Sequence, residues 1–323
     1  MAAISMSLKC KLATAKTSRL PFMFSSHLLK IARQSGLGQP PNMTSKPSSD
    51  LGTRTTTTRR ITAVPRSISG LWRLLAAPLL LFLLLPLVAL VSRTSLESIQ
   101  ASLADETVSQ AISLSFSTTL ISLALTVLFG TPVATVLAAR RGRVEKLIDT
   151  LVDLPTVLPP AVAGIALLLA FGRMGLVGAW LNETFGVSVA FTRTAVILAQ
   201  IFVASPFYIK AATIALSQVE LDLKQAASLD GASPWQIFTH ITVPLAWPGL
   251  VSGTIMSWAR ALGEFGATIL FAGNLPGSTQ TMPLAIYLGF ESDLSIAITL
   301  SVILMGCSFA ALLIAKFLLS RSR

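Results

Sequence analysis

Charge is what this sequence of 323 residues has least of: 12% of its residues are Asp, Glu, Lys or Arg, while 53% are hydrophobic, against about 25% charged in soluble domains. A chain so poor in charge cannot cover itself with polar groups, which excludes an ordinary soluble protein and points to an integral membrane protein. Cysteine is almost missing. Cys10 lies in a polar tail and Cys307 in an apolar run, which excludes a disulfide framework and a cysteine-based metal site. The two histidines, His27 and His240, stand far apart, and no cluster of His, Cys and carboxylates offers a metal centre or a catalytic constellation. An enzyme reading therefore has no residues to rest on. No G-x-x-x-x-G-K-[ST] loop occurs, so if ATP drives this protein another chain binds it.

The formal charge of +11 is local. Residues 1–70 hold eleven Lys or Arg and one acid, Asp50, whereas residues 71–323 hold fourteen and thirteen. The basic character belongs to the tail and is no argument for nucleic-acid binding by the folded part. Residues 1–70 are rich in Ser, Thr and Pro without sustained apolar periodicity, and are expected to be disordered because they cannot bury enough surface to offset ordering entropy. They lack the apolar core of a cleavable secretory signal. An organellar transit peptide, a basic cytosolic tail and an upstream extension with a start at Met43 all remain open.

From residue 71 the chain reads as an all-α membrane domain extending to residue 323. A crossing needs about 20 predominantly apolar residues, and six runs qualify: near 74–92, 112–138, 154–172, 194–216, 248–271 and 294–319. Pro155, Pro159 and Pro160 should break or tilt the start of the third. With the N-terminus inside, one side receives Arg59, Arg60, Arg66, Arg73, Arg140, Arg141, Arg143, Lys146, Lys210, Lys224, Lys316, Arg321 and Arg323. The other receives only Arg93, Arg173 and Arg193. The positive-inside rule then places both termini in the cytoplasm.

A polar island, Lys224 to Pro244, interrupts the apolar pattern between the fourth and fifth runs. Glu220 to Leu229 has helix-forming residues, Gly231 suits a helix C-cap, Ser233 an N-cap and Pro234 a first helical position. The spacing predicts a helix, a turn and a second short helix, ending where Pro244 and Pro248 mark entry into the next run. Such a hairpin cannot cross a bilayer and must lie at its surface. The spacing Gln225-Ala226-Ala227, Gly231, Ile241, Val243 and Pro244 resembles the cytoplasmic loop of ABC importer permeases, whose pattern is Glu-Ala-Ala, three residues, Gly, nine residues and Ile-x-Leu-Pro. Gln225 stands in place of the Glu and Val243 in place of the Leu. Neither change moves the turn glycine or the proline, but any salt bridge of the family's Glu is lost.

Within the fifth run, Arg260 and Glu264 lie four residues apart on one helical face. An intramembrane ionisable pair is costly, and two roles stay open: a functional pair facing a cavity or partner, or a structural pair fixing helix packing. Gly263 and Gly266 would allow close helix approach or local unwinding. Arg260-Ala-Leu-Gly-Glu-Phe-Gly-Ala-Thr268, with Phe271-Ala-Gly-Asn274-Leu-Pro276 and Thr279-Gln-Thr-Met-Pro-Leu-Ala-Ile-Tyr287, resembles the permeases of bacterial molybdate importers. Related sulfate permeases share much of this but read Tyr-Gly-Ser where this chain has Phe265-Gly266-Ala267.

The resemblance covers about Leu71 to Leu319 and implies a type I ABC importer permease fold with a cytoplasmic coupling helix, in the inner (plasma) membrane. An organellar membrane is the alternative if residues 1–70 are a transit peptide. It further implies a second copy of the permease, two cytoplasmic ATPase subunits holding ATP and Mg, and an external molybdate-binding protein, with membrane lipid around the spans and no cofactor on this chain. The coupling residues it implies are Gln225, Ala226, Ala227, Gly231, Ile241 and Pro244; Arg260, Glu264 and Asn274 are candidates for the translocation pathway. The substrate expected is molybdate, and tungstate with it. A sulfate or thiosulfate permease is the alternative, followed by an ion-coupled secondary transporter using Arg260 and Glu264, and then by a membrane scaffold.

Overall fold

Backbone N–H and C=O groups in hydrocarbon must be satisfied within the chain, and helices do this locally. In the computed structural model, which describes residues 66–139 and 142–321, every regular element is accordingly helical. In chain order these are α1 (Arg66–Ser92), α2 (Leu96–Ala104), α3 (Glu106–Ala139), α4 (Arg143–Val157), α5 (Pro160–Phe171), α6 (Gly178–Phe185) and α7 (Arg193–Ser217). Then follow α8 (Leu221–Leu229), α9 (Pro234–Ile237), a π-helical turn (Phe238–Thr242), α10 (Val243–Leu262), α11 (Gly266–Ala272), α12 (Met282–Ser292) and α13 (Leu294–Arg321). The tail expected to be disordered lies outside the described residues, except that α1 already begins at Arg66.

Among the described residues, four helices are long and apolar enough to cross a membrane: Trp72–Ser92 of α1, all of α3, all of α7, and Leu294–Ile314 of α13. These match the first, second, fourth and sixth expected runs. The third and fifth do not form single helices, and with the bent pair α4–α5 taken as one crossing the described residues show up to five of the six expected crossings by length and composition. In place of a straight span at 154–172, the chain bends by 116° between α4 and α5. A residue before proline is pushed out of the α region, and Leu158 (ψ 133°) and Pro159 (ψ 136°), each followed by a proline, are both extended. In place of a span at 248–271, α10 stops at Leu262 and α11 starts at Gly266. The entry to α10 also differs in part from expectation. The π turn carries α9 straight into α10, with the Val243 N–H donating to Phe238 O; Pro244 stands in the first turn of α10, marking its entry, and Pro248 lies further inside the helix.

At the centre stands α7, whose small buried residues Ala195, Ala199, Ala204, Ala212 and Ala215 let neighbouring backbones come close. Because lipid is as apolar as Leu, helix association in a membrane depends on such close packing and on interhelical hydrogen bonds. On one side α10 presents Gly249 to Ala215, and Gly253 so near that a Cβ there would lie 2.7 Å from Ala211 Cβ. On the other side α3 bonds through polar side chains: Ser122 donates to Gln200 Oε1 (2.8 Å) and Gln200 Nε2 donates to Thr118 Oγ1 (3.1 Å). Trp258 of α10 donates to Thr119 Oγ1 of α3 at 3.2 Å. Interhelical bonds of this kind contribute about 0.6 kcal/mol each on average, so the bundle rests on the sum of many.

The length of α7 separates two ends. Its N-terminal end gathers the segment after α11, where Arg193 Nη2 donates to Gly277 O at 2.9 Å and the Phe191 N–H to Phe271 O. Its C-terminal end leads directly into α8 and α9. Gly253→Val should force α7 and α10 apart and lower the unfolding midpoint of the detergent-purified chain, a cost of about 1–3 kcal/mol. Gly306→Val, where an added Cβ meets nothing within 4 Å, should leave it unchanged. Equal midpoints for the two variants would contradict this account of the α7–α10 contact.

Candidate functional site

Two features stand out from the bundle: the hairpin at the C-terminal end of α7 and the break between α10 and α11. The hairpin forms because its sequence satisfies its own helix ends. At the close of α8 the N–H groups of Asp230, Gly231 and Ala232 donate back to Ala226, Ser228 and Ala227. Gly231 takes φ +87°, a left-handed conformation costly for any residue with a Cβ. Ser233 then caps α9 in a capping box: its hydroxyl accepts from the Gln236 N–H, and the Gln236 side chain accepts from the Ser233 N–H at 2.8 Å. Pro234 fills the first helical position, where a missing N–H is harmless. Glycine, serine and proline thus take the places their spacing predicts.

Among polar neighbours, the hairpin offers large apolar side chains outward. No residue of α8 is buried, and Leu229 is 89% and Trp235 71% exposed. Of the predicted coupling residues, Gln225 and Ala226 are exposed, Ala227 is half-buried, Gly231 is at the exposed tip, and Ile241 and Pro244 lie in the π turn and the first turn of α10. The hairpin is anchored through Phe238 and Val243, which pack on the core formed by Tyr208, Ile209, Leu216 and Leu250. A cavity of about 220 Å³ separates the hairpin from the end of α3, lined by Thr135, Ala138, Lys224, Pro234 and Phe238 among others.

At the break, Glu264 is 2% exposed and both of its oxygens are used. Oε2 lies 2.7 Å from Arg260 Nη1, and Oε1 accepts from the Ala267 N–H at 2.8 Å. The carboxylate therefore ties the last turn of α10 to the first turn of α11 and satisfies a donor that the interruption would otherwise strand. Close packing then locks α11 against α5: a Cβ on Gly164 would lie 2.9 Å from Ala267 O, and one on Gly266 2.5 Å from Pro160 Cβ. The Arg260 side chain stays 30% exposed. Asn274 bonds elsewhere, its amide donating to Leu284 O at 3.3 Å. The geometry thus joins Arg260 and Glu264, and gives Asn274 a different partner.

Side chains that the sequence reading passed over are Gln200, with its bonds to α3, and Lys210, which counted only as a basic charge. Lys210 Nζ lies 2.6 Å from Asp149 Oδ1 and 2.8 Å from Asp153 Oδ2 of α4. The signal was present as two carboxylates four residues apart and a lone lysine inside an apolar run.

The family model described as a binding-protein-dependent transport system inner membrane component matches residues 130–323, which include both features. The chain is 38% identical over 258 residues to the probable transport system permease protein NifC of Clostridium pasteurianum, covering 80% of this chain and 90% of that protein. It is 43% identical over 226 residues to the molybdenum transport system permease protein ModB of Mycobacterium tuberculosis, covering 70% and 85%. Against the probable sulfate transport system permease protein cysT of Nephroselmis olivacea the identity is 32% over 267 residues, covering 81% and 94%. Among solved structures, a bacterial ABC transporter involved in the import of the acidic polysaccharide alginate superposes with a TM-score of 0.63 at 20% identity, over 80% of this chain and 97% of that one. At that identity the likeness is one of fold.

The carboxylate at the break is open to direct test by thermal unfolding of the purified chain. Glu264→Ala should strand the Ala267 N–H and leave Arg260 unpaired, lowering stability by about 1–3 kcal/mol. Glu264→Gln keeps an acceptor for the N–H and should lose less. If the two variants unfold alike, the capping bond contributes nothing.

Proposed function

The chain belongs to the family of binding-protein-dependent transport system inner membrane components, and from that membership we propose that it is the permease subunit of an ATP-driven importer of molybdate. The observation that carries the reading is the self-capped hairpin, with Gln225-Ala226-Ala227, Gly231, Ile241 and Pro244 at the spacing of an ABC permease coupling loop, in a chain 43% identical to a molybdenum permease. The lower identity to a sulfate permease and the Phe265-Gly266-Ala267 sequence favour molybdate over sulfate. Tungstate, of similar size and equal charge, is the expected companion substrate.

In this reading two copies of the chain sit in the inner membrane with both termini and the hairpin in the cytoplasm. The excess of Arg and Lys in the segments this reading assigns to the cytoplasm, with Arg93, Arg173 and Arg193 in those it assigns outside, supports it through the positive-inside rule. Arg140 and Arg141 lie outside the described residues. ATP and Mg bind to two cytoplasmic ATPase subunits, each taking one hairpin into a groove, and an external binding protein delivers the oxyanion. The exposed Leu229 and Trp235 give the hairpin apolar surface to bury there, and its caps keep it stiff enough to pass on a displacement. Transport then needs two bundle states that bind the ATPase pair differently. Arg260, partly exposed, offers the divalent anion a transient favourable charge, while Glu264 competes for the guanidinium and keeps the site from becoming a trap.

Uptake of labelled molybdate by the assembled complex in vesicles tests the substrate. Tungstate should compete and sulfate should compete poorly; efficient sulfate uptake with molybdate excluded would move the chain to the sulfate branch. The hairpin role has its own test. An added Cβ at Gly231 meets nothing within 4 Å, so Gly231→Val acts only through its backbone, at about 1–2 kcal/mol for the left-handed conformation. It should weaken ATPase association and uptake while membrane insertion stays normal, and Gly231→Asn, which tolerates that conformation, should retain more of both. Full ATP-dependent uptake by Gly231→Val would remove the turn from the mechanism.

A further inference from the structure

The helix α4 is held to the bundle in an unusual way. None of its residues is buried, and Val144, Leu147, Leu151 and Leu154 face outward from the chain. Val152 alone among its apolar side chains reaches the core around Tyr208 and Leu216. Asp149 and Asp153, four residues apart and so on one face, both close on the Lys210 ammonium, at 2.6 and 2.8 Å. All three side chains are between a third and a half exposed, so the pairing is made where water reaches.

The two arms of this connection lean on opposite ends of α7, α5 through Ala163 and Leu167 near its N-terminal half and α4 near its C-terminal half. Lys210 follows buried Ile209 on α7, in the same core that seats Phe238 and Val243 of the hairpin and Ala246 and Leu250 of α10. The hairpin is therefore seated beside Lys210. On the far side of the extended Leu158–Pro159 joint, α5 is locked to α11 by the contacts of Gly164 and Gly266, and α11 is tied to α10 by Glu264. The pair α4–α5 is thus a crank bent by 116°: one arm is packed against the broken helix and the N-terminal half of α7, the other is held to the hairpin end of α7 mainly by charge.

We propose that Lys210 is a positioning residue for transport, holding α4 through Asp149 and Asp153 so that displacement of the hairpin turns α5 and shifts α11 beside Arg260. This rests on the importer reading above for its functional consequence, but the mechanical link can be measured without it. Backbone-to-backbone packing resists sliding, whereas an ion network with partly hydrated members can hold α4 in register and still let it pivot. The apolar face of α4 stays free of its own chain in either position.

Two measurements test the link. In the full chain with Cys10→Ser and Cys307→Ala, spin labels at Leu147→Cys and Ile214→Cys, both exposed positions, report the distance between α4 and α7. The distribution should be narrow with Lys210, broad in Lys210→Met and narrow again in Lys210→Arg. In the assembled complex, molybdate taken up per ATP hydrolysed should fall about tenfold in Lys210→Met, the scale of a modest coupling energy, and recover in Lys210→Arg. A lysine that only aided folding would lower the yield of complex and leave that ratio unchanged. An unchanged distance distribution, or an unchanged ratio, in Lys210→Met overturns the proposal. If the wild-type complex moves no oxyanion, the importer reading falls, and the distance measurement still decides whether Lys210 holds α4.

Discussion

Every interruption of a helix within this bundle must find hydrogen-bond partners from the chain itself, because hydrocarbon supplies none. The Glu264 carboxylate meets that demand at the buried break between α10 and α11, by taking the Ala267 N–H with one oxygen and the Arg260 guanidinium with the other. A buried carboxylate with only one of these partners would be costly. With both, the break becomes a stable feature around which α5, α10 and α11 can be arranged.

The rest of the bundle follows from how closely backbones can approach. Alanines along α7 and glycines on α10 and α5 bring helices into contact where larger side chains would hold them apart. The hydroxyl and amide groups of Thr118, Ser122 and Gln200 then pair across the gap between α3 and α7. The chain thus gains a bundle of fixed geometry without a hydrophobic effect between its helices. The helix α4, by contrast, buries none of its residues and is held to α7 largely by charge.

Rigidity at the hairpin and freedom at α4 are complementary requirements for a transporter. The hairpin carries its own caps, which in the proposed coupling role would keep it from deforming under load. It is seated on the core that includes Ile209, next to Lys210, so in that role a push at the surface would be delivered inside the bundle. An element with two positions is what converts that push into a change of access, and the jointed α4–α5 pair, with extended residues at its bend, has the form of one.

Much of this was legible in the sequence where the physics is local. Charge scarcity gave the class of protein, continuous apolar runs gave α1, α3, α7 and α13, and Gly231, Ser233 and Pro234 gave the hairpin, because caps and turns act within a few residues. The broken elements were legible only in part. Pro159 and Pro160 announced a disturbance, but whether a proline tilts a span or bends it by 116° depends on what each half packs against, here α7 for α4 and α11 for α5. Likewise Arg260 and Glu264 were visible as a pair on one face, while the second bond, to Ala267, exists only because the helix stops between them. Lys210 looked like one more basic charge near a span end, and its meeting with Asp149 and Asp153 joins residues more than fifty positions apart. The sequence by itself determined the long apolar helices and the capped hairpin; the tertiary structure decided which helices break and which charges meet, because those outcomes depend on neighbours that no local pattern names.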